Sequence, residues 1–460
     1  MAKKKENTLE EKLQEALVPE NQWPYILPEN WCWTRLGKIT NVVGGGTPSS
    51  SKKEYYDNGT IPWLSPADLS GYSDIYISRG QKNITELGLS KSSARLMPKD
   101  TVLLSSRAPI GYVAIASNSI STNQGFKNFL PSDAFYSRFL YWYLKSSKSL
   151  LESYASGTTF LELSGSKASM VEFPLPPLPE QKRIVHRIES LFAKLDEAKE
   201  KIQQVLDGAE MRKAAILHKA FTGELTKNWR KENGISEDSW VEYTLQSVCT
   251  MKITDGTHKT PNYSDKENGV VFLSAKDITS GEINWENTKY ITSELHKELY
   301  SRLAPQINDI LLAKNGTTGV AALVKEDKVF DIYVTLALLR PNVEIVIPEY
   351  LLNIINSPLC KVQFNENLTG IGVPNLHLRD IKDVKIKVPS ISEQEIISDK
   401  VEMLLANEGM VTKNCLKQIE VIDTMKKSIL AKAFRGELGK NNPTEDSALN
   451  LLKEVLQDKS

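Results

Sequence analysis

The hydrophobic positions of this chain follow two periods, and the longer pattern occurs twice. Over 178–225, Ile184, Ile188, Leu191, Leu195, Ala198, Ile202, Val205 and Ala209 keep a four-three spacing with charged residues between them. That is the seam of a coiled-coil helix. Over 391–438 a weaker seam, Ile397, Val401, Leu404, Val411, Cys415 and Ile422, is interrupted at Glu408 and Gln418. The two stretches align without a gap at a shift of 213, with 15 identical pairs. Glu180-Gln181 returns as Glu393-Gln394. Ala220-Phe221 with Gly223-Glu224-Leu225 returns as Ala433-Phe434 with Gly436-Glu437-Leu438. Ser392 followed by Glu395 predicts a capping box at the second helix start. Gly223 and Gly436 predict the stops. At 1.5 Å per residue, about 46 residues give a rod of roughly 69 Å. Two such rods in one chain can bury their seams against each other, and a helical hairpin that only sets a spacing is the plainest reading.

Between the helices the pattern shortens. Residues 1–26 form a charged extension with an apolar stripe at Leu9, Leu13, Ala16 and Leu17, ended by Pro19, Pro24 and Pro28. A first block, 27–177, carries strand-like runs at 101–105 and 112–116, a helix at 139–144, and the stiff exit Phe173-Pro174-Leu175-Pro176-Pro177. The first long helix is expected over 178–226 and a linker over 227–239. A second block, 240–390, precedes the distal helix, 391–438, and a tail, 439–460. The blocks echo each other. Trp31 answers Trp240, Gly46-Thr47 answers Gly256-Thr257, and Leu64-Ser65 with Asp68 answers Leu273-Ser274 with Asp277. Asp100 answers Asp309, and Gly157 and Leu163 answer Gly370 and Leu376. The order block–helix–block–helix reads as two domain-plus-rod units with a pseudo-twofold repeat. The mixed strands and helices of the blocks give an α/β (α+β) fold class.

Composition narrows the classes. A chain of 460 residues with 25% charged residues and zero formal net charge is an ordinary soluble composition. The four cysteines, Cys32, Cys249, Cys360 and Cys415, form no CxxC. That favours reduced thiols and a cytoplasmic location. The start lacks a signal-peptide core, and no apolar run has the length of a membrane span. No P-loop, HExxH, methyl-donor glycine motif or Asn-Pro-Pro-Tyr stretch is present, so the sequence predicts no catalytic site, metal site or cofactor in this chain.

Polar turns in the blocks suit nucleic acid. In the first block Thr47, Ser50, Lys52 and Lys53 combine hydroxyls with cations, and Arg107, Asn123 and Gln124 have the groups that read guanine or adenine edges. In the second, Thr257, His258 and Lys259 lie at the matching turn, and Lys314 and Asn315 near the position of Arg107. The first block holds 15 Lys or Arg against 11 Asp or Glu, the second 16 against 18. Charge therefore favours DNA more in the first block. Phe221 and Phe434, at the repeated helix ends, are expected to dock a partner present in two copies.

Taken together, the two divergent blocks, the Pro-Leu-Pro-Glu-Gln helix start, the run 428–438 (SILAKAFRGEL) and Gly223-Glu224-Leu225-Thr226 with Trp229-Arg230 resemble the specificity subunit of type I restriction–modification enzymes, type IA-like. The resemblance covers essentially the full length. It implies two target recognition domains that each read one half of a bipartite double-stranded DNA site. It also implies antiparallel helices that set the spacer and dock two methyltransferase subunits. Restriction subunits would join that core, with S-adenosylmethionine, ATP and Mg2+ held by the partners and no membrane involved. Two rivals remain at this stage, a coiled-coil protein scaffold and a methyltransferase or nuclease with degenerate motifs. Methyl transfer by the isolated chain would single out the second, and the absence of a defined footprint the first.

Overall fold

The computed structural model describes residues 8–107, 109–157, 161–366, 375–439 and 441–458. The chain divides into two compact units, one running to Lys201 and resuming at Gln418, the other spanning Ile202–Lys417. Both boundaries fall inside the repeated helices. Each unit therefore owns one block, the first part of its own helix and the last part of the other copy's helix. The sequence, which suggests that each block is closed by its own helix, does not show this exchange.

In the first unit a five-stranded sheet runs in the order Val42–Gly44, Phe126–Phe129, Val102–Ser106, Ile110–Ala116, Tyr76–Ile77. A three-stranded sheet holds Lys82–Ile84, Ile61–Leu64 and Ser121–Thr122, with the last pair parallel. A third, two-stranded sheet joins Cys32–Arg35 to Glu172–Leu175. The expected helix at 139–144 extends over Ser137–Ser146, and all of Phe139–Leu144 is buried. Its aromatic face receives the end of the distal helix. Phe434 meets Phe139 and Tyr143 edge-on at 5.3 and 5.2 Å. The extension forms the helix Leu9–Ala16, capped by Thr8 and Glu11, and packs with the C-terminal helix Ala448–Asp458 against the same core.

The second unit repeats the plan. One four-stranded sheet has the order Thr254–Asp255, Leu336–Leu339, Ile310–Ala313, Ala321–Leu323. Another has Tyr263–Ser264, Lys289–Ile291, Val270–Leu273, Phe330–Ile332. Val241–Thr244 pairs with Lys385–Val388. Phe221 packs edge-on against Tyr350 at 5.2 Å, within a core that also holds Leu217, Ile397 and Val401. The matched pairs Ser65–Asp68 and Ser274–Asp277 make the same capping contacts, 2.7 and 2.8 Å in each unit.

The Glu-Gln repeat is a helix-to-block clamp. Gln181 accepts from Tyr136 N and donates to Ala134 O and Pro176 O. Gln394 does the same with Ile347 N, Ile345 O and Pro389 O. Trp31 Nε1 donates to Glu180 at 2.9 Å, and Trp240 Nε1 to Glu393 at 3.2 Å. A buried amide must have its donors and acceptor matched, and the same three backbone groups match it twice.

The clamps differ in one respect. Arg230 Nη1 lies 2.5 Å from Glu393 Oε1 in the buried core, and Thr226 adds a hydroxyl. At the same shift of 213 the first unit has Gly439 and Pro443. Among the described residues, Glu180 Oε1 has no partner.

The helices differ from expectation in detail. The first comprises Leu178–Asp207 and Ala209–Phe221, meeting at Gly208, whereas the second is continuous over Ile391–Phe434. Both stops hold, with Gly223 at φ 82° and Gly436 at φ 77°. The distal helix is capped by Ser390, whose Oγ accepts from Glu393 N, and not by Ser392. Glu393 is instead buried under Arg230. Within each unit the helices run antiparallel. Lys199 pairs with Asp423, and Asp196 with Lys426, in the first; Arg212 forks onto Glu408 in the second. Glu408 thus sits in the seam because it has a cation there. Val205 and Val411, expected in the seam, are exposed, while Leu206 and Thr412 are half-buried.

Candidate nucleic-acid interface

Four segments meet at one end of each block's sheets. In the first unit Gly46 N donates to Thr122 O, Ser106 N to Gly125 O and Leu163 N to Ser106 O, at 2.7–2.9 Å. In the second Thr257 N donates to Ile332 O, Lys314 N to Thr335 O and Leu376 N to Lys314 O, at 2.8–3.2 Å. Arg107 bridges Glu162, and Asn315 bridges Asn375. The same backbone frame therefore carries different side chains. Asn315 stands where the first unit has Arg107, and Lys314 where it has Ser106. Gly45, not Gly46, matches Gly256. A Cβ at either would lie 1.9 Å from a carbonyl oxygen, Asn123 O or Ile332 O, so only glycine fits. The letter match is one residue out, and His258 is the counterpart of Thr47. The anchor Gly370 lies outside the described residues.

The frame gathers most of the expected residues. Thr47, Ser50, Lys52, Lys53 and Gln124 are exposed, and Thr47 Oγ1 donates to Gln124 Oε1. Arg107 is half-buried, and Asn123 is tied by its Oδ1 to Gly125 N at 2.8 Å. In the second unit His258 and Lys259 are exposed while Thr257 is buried.

Four expected residues are placed otherwise than anticipated, the buried Thr257 among them. Lys314 is buried, its ammonium engaged by Asp255, whose backbone carbonyl also accepts from Arg302. Its charge is held inside the block, not offered at the surface. Phe221 and Phe434 are only 2% and 3% exposed. Their rings fill their own units' cores, which explains the repeat by internal packing and removes them as direct docking groups.

Two charged residues beneath the frame were not anticipated. Lys127, buried in the strand Phe126–Phe129, donates to Ser106 Oγ at 3.2 Å and faces Glu162 at 3.8 Å. Burial pushes its ammonium below the usual lysine range, Glu162 opposes that, and Arg107 adds to it. A lysine and an asparagine set between two phenylalanines in a short strand were the available signal. Asp255 gave none for its pairing with Lys314, 59 positions away, although its other oxygen also meets His258 Nε2 at 3.3 Å.

Among the described residues, no group of three His, Cys, Asp or Glu side chains is placed to hold a metal. None of the described helices is long and apolar enough to cross a membrane. The arrangement offers forked, amide, imidazole and ammonium groups on rigid turns, which is the chemistry of recognition.

Known proteins share this sequence and plan. The description "Type I restriction modification DNA specificity domain" matches residues 28–207 and 237–421. The type I restriction enzyme MjaIX specificity subunit of Methanocaldococcus jannaschii is 31% identical over 438 residues, 90% of this chain and 94% of that one. The EcoKI specificity subunit of Escherichia coli K12 is 25% identical over 460 residues, 94% and 96% of the two chains. Among solved structures, a chain of a type I R-M complex superposes with a TM-score of 0.66 at 19% identity, covering 90% of this chain and all of that one. The HsdS subunit from Thermoanaerobacter tengcongensis gives 0.59 at 18%, covering 91% and 100%. These superpositions establish a shared fold.

Proposed function

Because this chain belongs to the type I restriction–modification DNA specificity family, we propose that its two blocks each read one half of a bipartite, asymmetric site in double-stranded DNA. Specificity subunits of this family recognise DNA and do not catalyse. The observation that carries the reading is the repeated frame with exchanged side chains. Identical backbone positions present Arg107 or Asn315, and Thr47 or His258. An arginine fork suits guanine O6 and N7, and an asparagine amide suits adenine N6 and N7. One scaffold thereby addresses two different half-sequences. Thr47, Ser50, Lys52, Lys53, Asn123, Gln124, His258 and Lys259 complete the two surfaces. Lys52, Lys53 and Lys259 face the phosphates.

The test uses the chain assembled with its methyltransferase partners. A library of methylated sites, read by modification-sensitive sequencing, should return one bipartite motif. Exchanging residues 27–177 for another family member's block should alter one half of it, provided the new block keeps the aromatic seat for Phe434. Change in both halves would defeat independent reading, and protection without a defined sequence would favour the scaffold.

The helices, in this reading, set the spacer and dock two methyltransferase subunits that bind S-adenosylmethionine; restriction subunits bring ATP and Mg2+. The docking groups are sought among residues identical in both copies yet exposed. Lys219 and Glu224 in the second unit, and Lys432 and Glu437 in the first, meet both conditions. Met403 and Met410, seven residues apart and so on one face, add an exposed apolar pair on the distal helix. Reversing both lysines, Lys219→Glu with Lys432→Glu, should weaken methyltransferase assembly at least about tenfold, equivalent to roughly 1.4 kcal/mol, with the isolated chain still folded. Unchanged assembly by calorimetric titration would place the docking surface elsewhere.

A further inference from the structure

The first unit has an open cleft of about 500 Å³ beside its reading turn, lined by Thr47, Ser50, Lys53, Tyr56, Trp63 and Lys82 together with Asp57 and Asn83. That volume lies within the range of small-ligand sites, about 300–1,000 Å³. Its two aromatic residues have their polar ends occupied. Tyr56 Oη donates to Pro48 O, and Trp63 Nε1 to Gly46 O. What remains for the cleft is the ring of half-buried Tyr56 and the small accessible part of Trp63, which is 7% exposed, the two rings set edge-on with centroids 6.1 Å apart. Lys53 and Lys82 are exposed and make no ion pair among the described residues. Ring surface beside two free ammonium groups is complementary to a nucleotide, with its planar base and its phosphate.

The second unit makes the comparison. There Phe272 pairs across the strands with Lys289, as Trp63 pairs with Lys82. But Lys289 lies 4.2 Å over the Tyr263 ring and bonds its hydroxyl at 3.2 Å. Leu299, from the ten-residue helix Ser293–Arg302, packs with Phe272 and Ile291. The lysine that matches Lys82 is thus engaged in the second unit, whereas Lys82 makes no ion pair among the described residues, and the position matching Lys53 is Ser264.

We propose that the first-unit cleft holds a nucleotide turned out of the DNA strand at the first half-site, its base against Tyr56 and Trp63 and its phosphate at Lys53 and Lys82. The proposal rests on the DNA-reading assignment above. Removing a base from the stack has an energetic cost, which a site offering replacement stacking offsets. The cleft thereby adds a demand on local strand opening to the first half-site alone.

The test is photo-crosslinking in the complex assembled with methyltransferase subunits, on the site identified by methylation sequencing. 5-Iodopyrimidines and 8-azidopurines are placed one at a time at every position of both strands. One position in or next to the first half-site should crosslink to the peptide carrying Tyr56 and Trp63, and Lys82→Glu should lower that yield at least tenfold while second-half crosslinks persist. Crosslinks only elsewhere, with an intact footprint, overturn this proposal and leave the DNA-reading assignment standing. Binding of free deoxynucleoside monophosphates at the cleft without a strand crosslink also overturns it, in favour of a soluble nucleotide. Loss of any defined footprint overturns both.

Discussion

Glu393→Gln is expected to destabilise the second unit by about 3–5 kcal/mol, the scale for breaking one side of a buried ion pair. Glu180→Gln, the same substitution at the matching position, should leave the first unit as stable or more so. Arg230 is 5% exposed and its guanidinium has Glu393 as its carboxylate, so a neutral glutamine leaves a buried cation uncompensated. Glu180 is also buried, yet one of its oxygens has no partner among the described residues. Burial raises its pKa above the ordinary value of 4.5, the Trp31 hydrogen bond and Arg183 opposing. A carboxyl that binds its proton more tightly when folded stabilises the fold at low pH. That contribution is lost as pH rises from 4.5 through the folded pKa. Glu180→Gln should therefore flatten the fall in first-unit stability across that window. Because the chain has two units, one global unfolding energy is not meaningful. Hydrogen exchange of core peptides, Leu351–Ile355 for the second unit and Phe139–Leu144 for the first, separates the two effects. Equal losses at both would show that the partner cation does not decide the outcome.

The second large effect concerns the spacer. Four residues inserted ahead of Gly208, with four more after Thr412 in the distal helix, should lengthen the recognised spacer by one or two base pairs. Four helical residues add about 6 Å, and a base pair rises about 3.4 Å. The insertion also turns the helix by about 40° beyond one full turn, and one base pair turns DNA by roughly 35°. Both helices must be lengthened. Lys199–Asp423 on one side of Gly208 and Arg212–Glu408 on the other hold them in antiparallel register. An insertion after Leu225 should not lengthen the spacer, because the helix has already ended at Phe221 and Gly223 is left-handed. That insertion instead displaces Thr226 and Arg230 from Glu393 and should weaken the second unit. Sequencing the sites methylated by each variant decides the matter. Unaltered spacing in the double insertion would sever helix length from half-site distance.

Much of this architecture was legible because it is written twice. Glu-Gln and the terminal glycines recur because the same clamp and the same left-handed stop are built twice. The seam was legible only where it is apolar. Strict four-three spacing puts Val411 in the seam, whereas the helix turns Thr412 inward and tolerates Glu408 opposite Arg212. Ser392 looked like a cap because Glu395 follows it at the right spacing; tertiary burial of Glu393 starts the helix earlier. At the interface, turns identified the neighbourhood, since glycines and small hydroxyls mark them locally. Which lysine is free is a non-local question. Lys53 and Lys314 look alike in sequence, and only the fold brings Asp255 to Lys314. The rings of Phe221 and Phe434 were conspicuous for the same reason that they are buried, as repeated core contacts.

The exchange of helix ends also sets an order of assembly during synthesis. Domains ordinarily complete in the order in which the ribosome makes them. Here the second unit is one continuous stretch, Ile202–Lys417, and has all its parts once that stretch has emerged. The first unit, though most of it is made earlier, lacks Leu430, Ala433, Phe434, Ala448 and Leu452 from its core until that later stretch has emerged. The nascent first block must wait with its aromatic face uncovered while the second closes. A premature stop near residue 420 would therefore damage the first block, far from the stop in sequence, and spare the second, beside it.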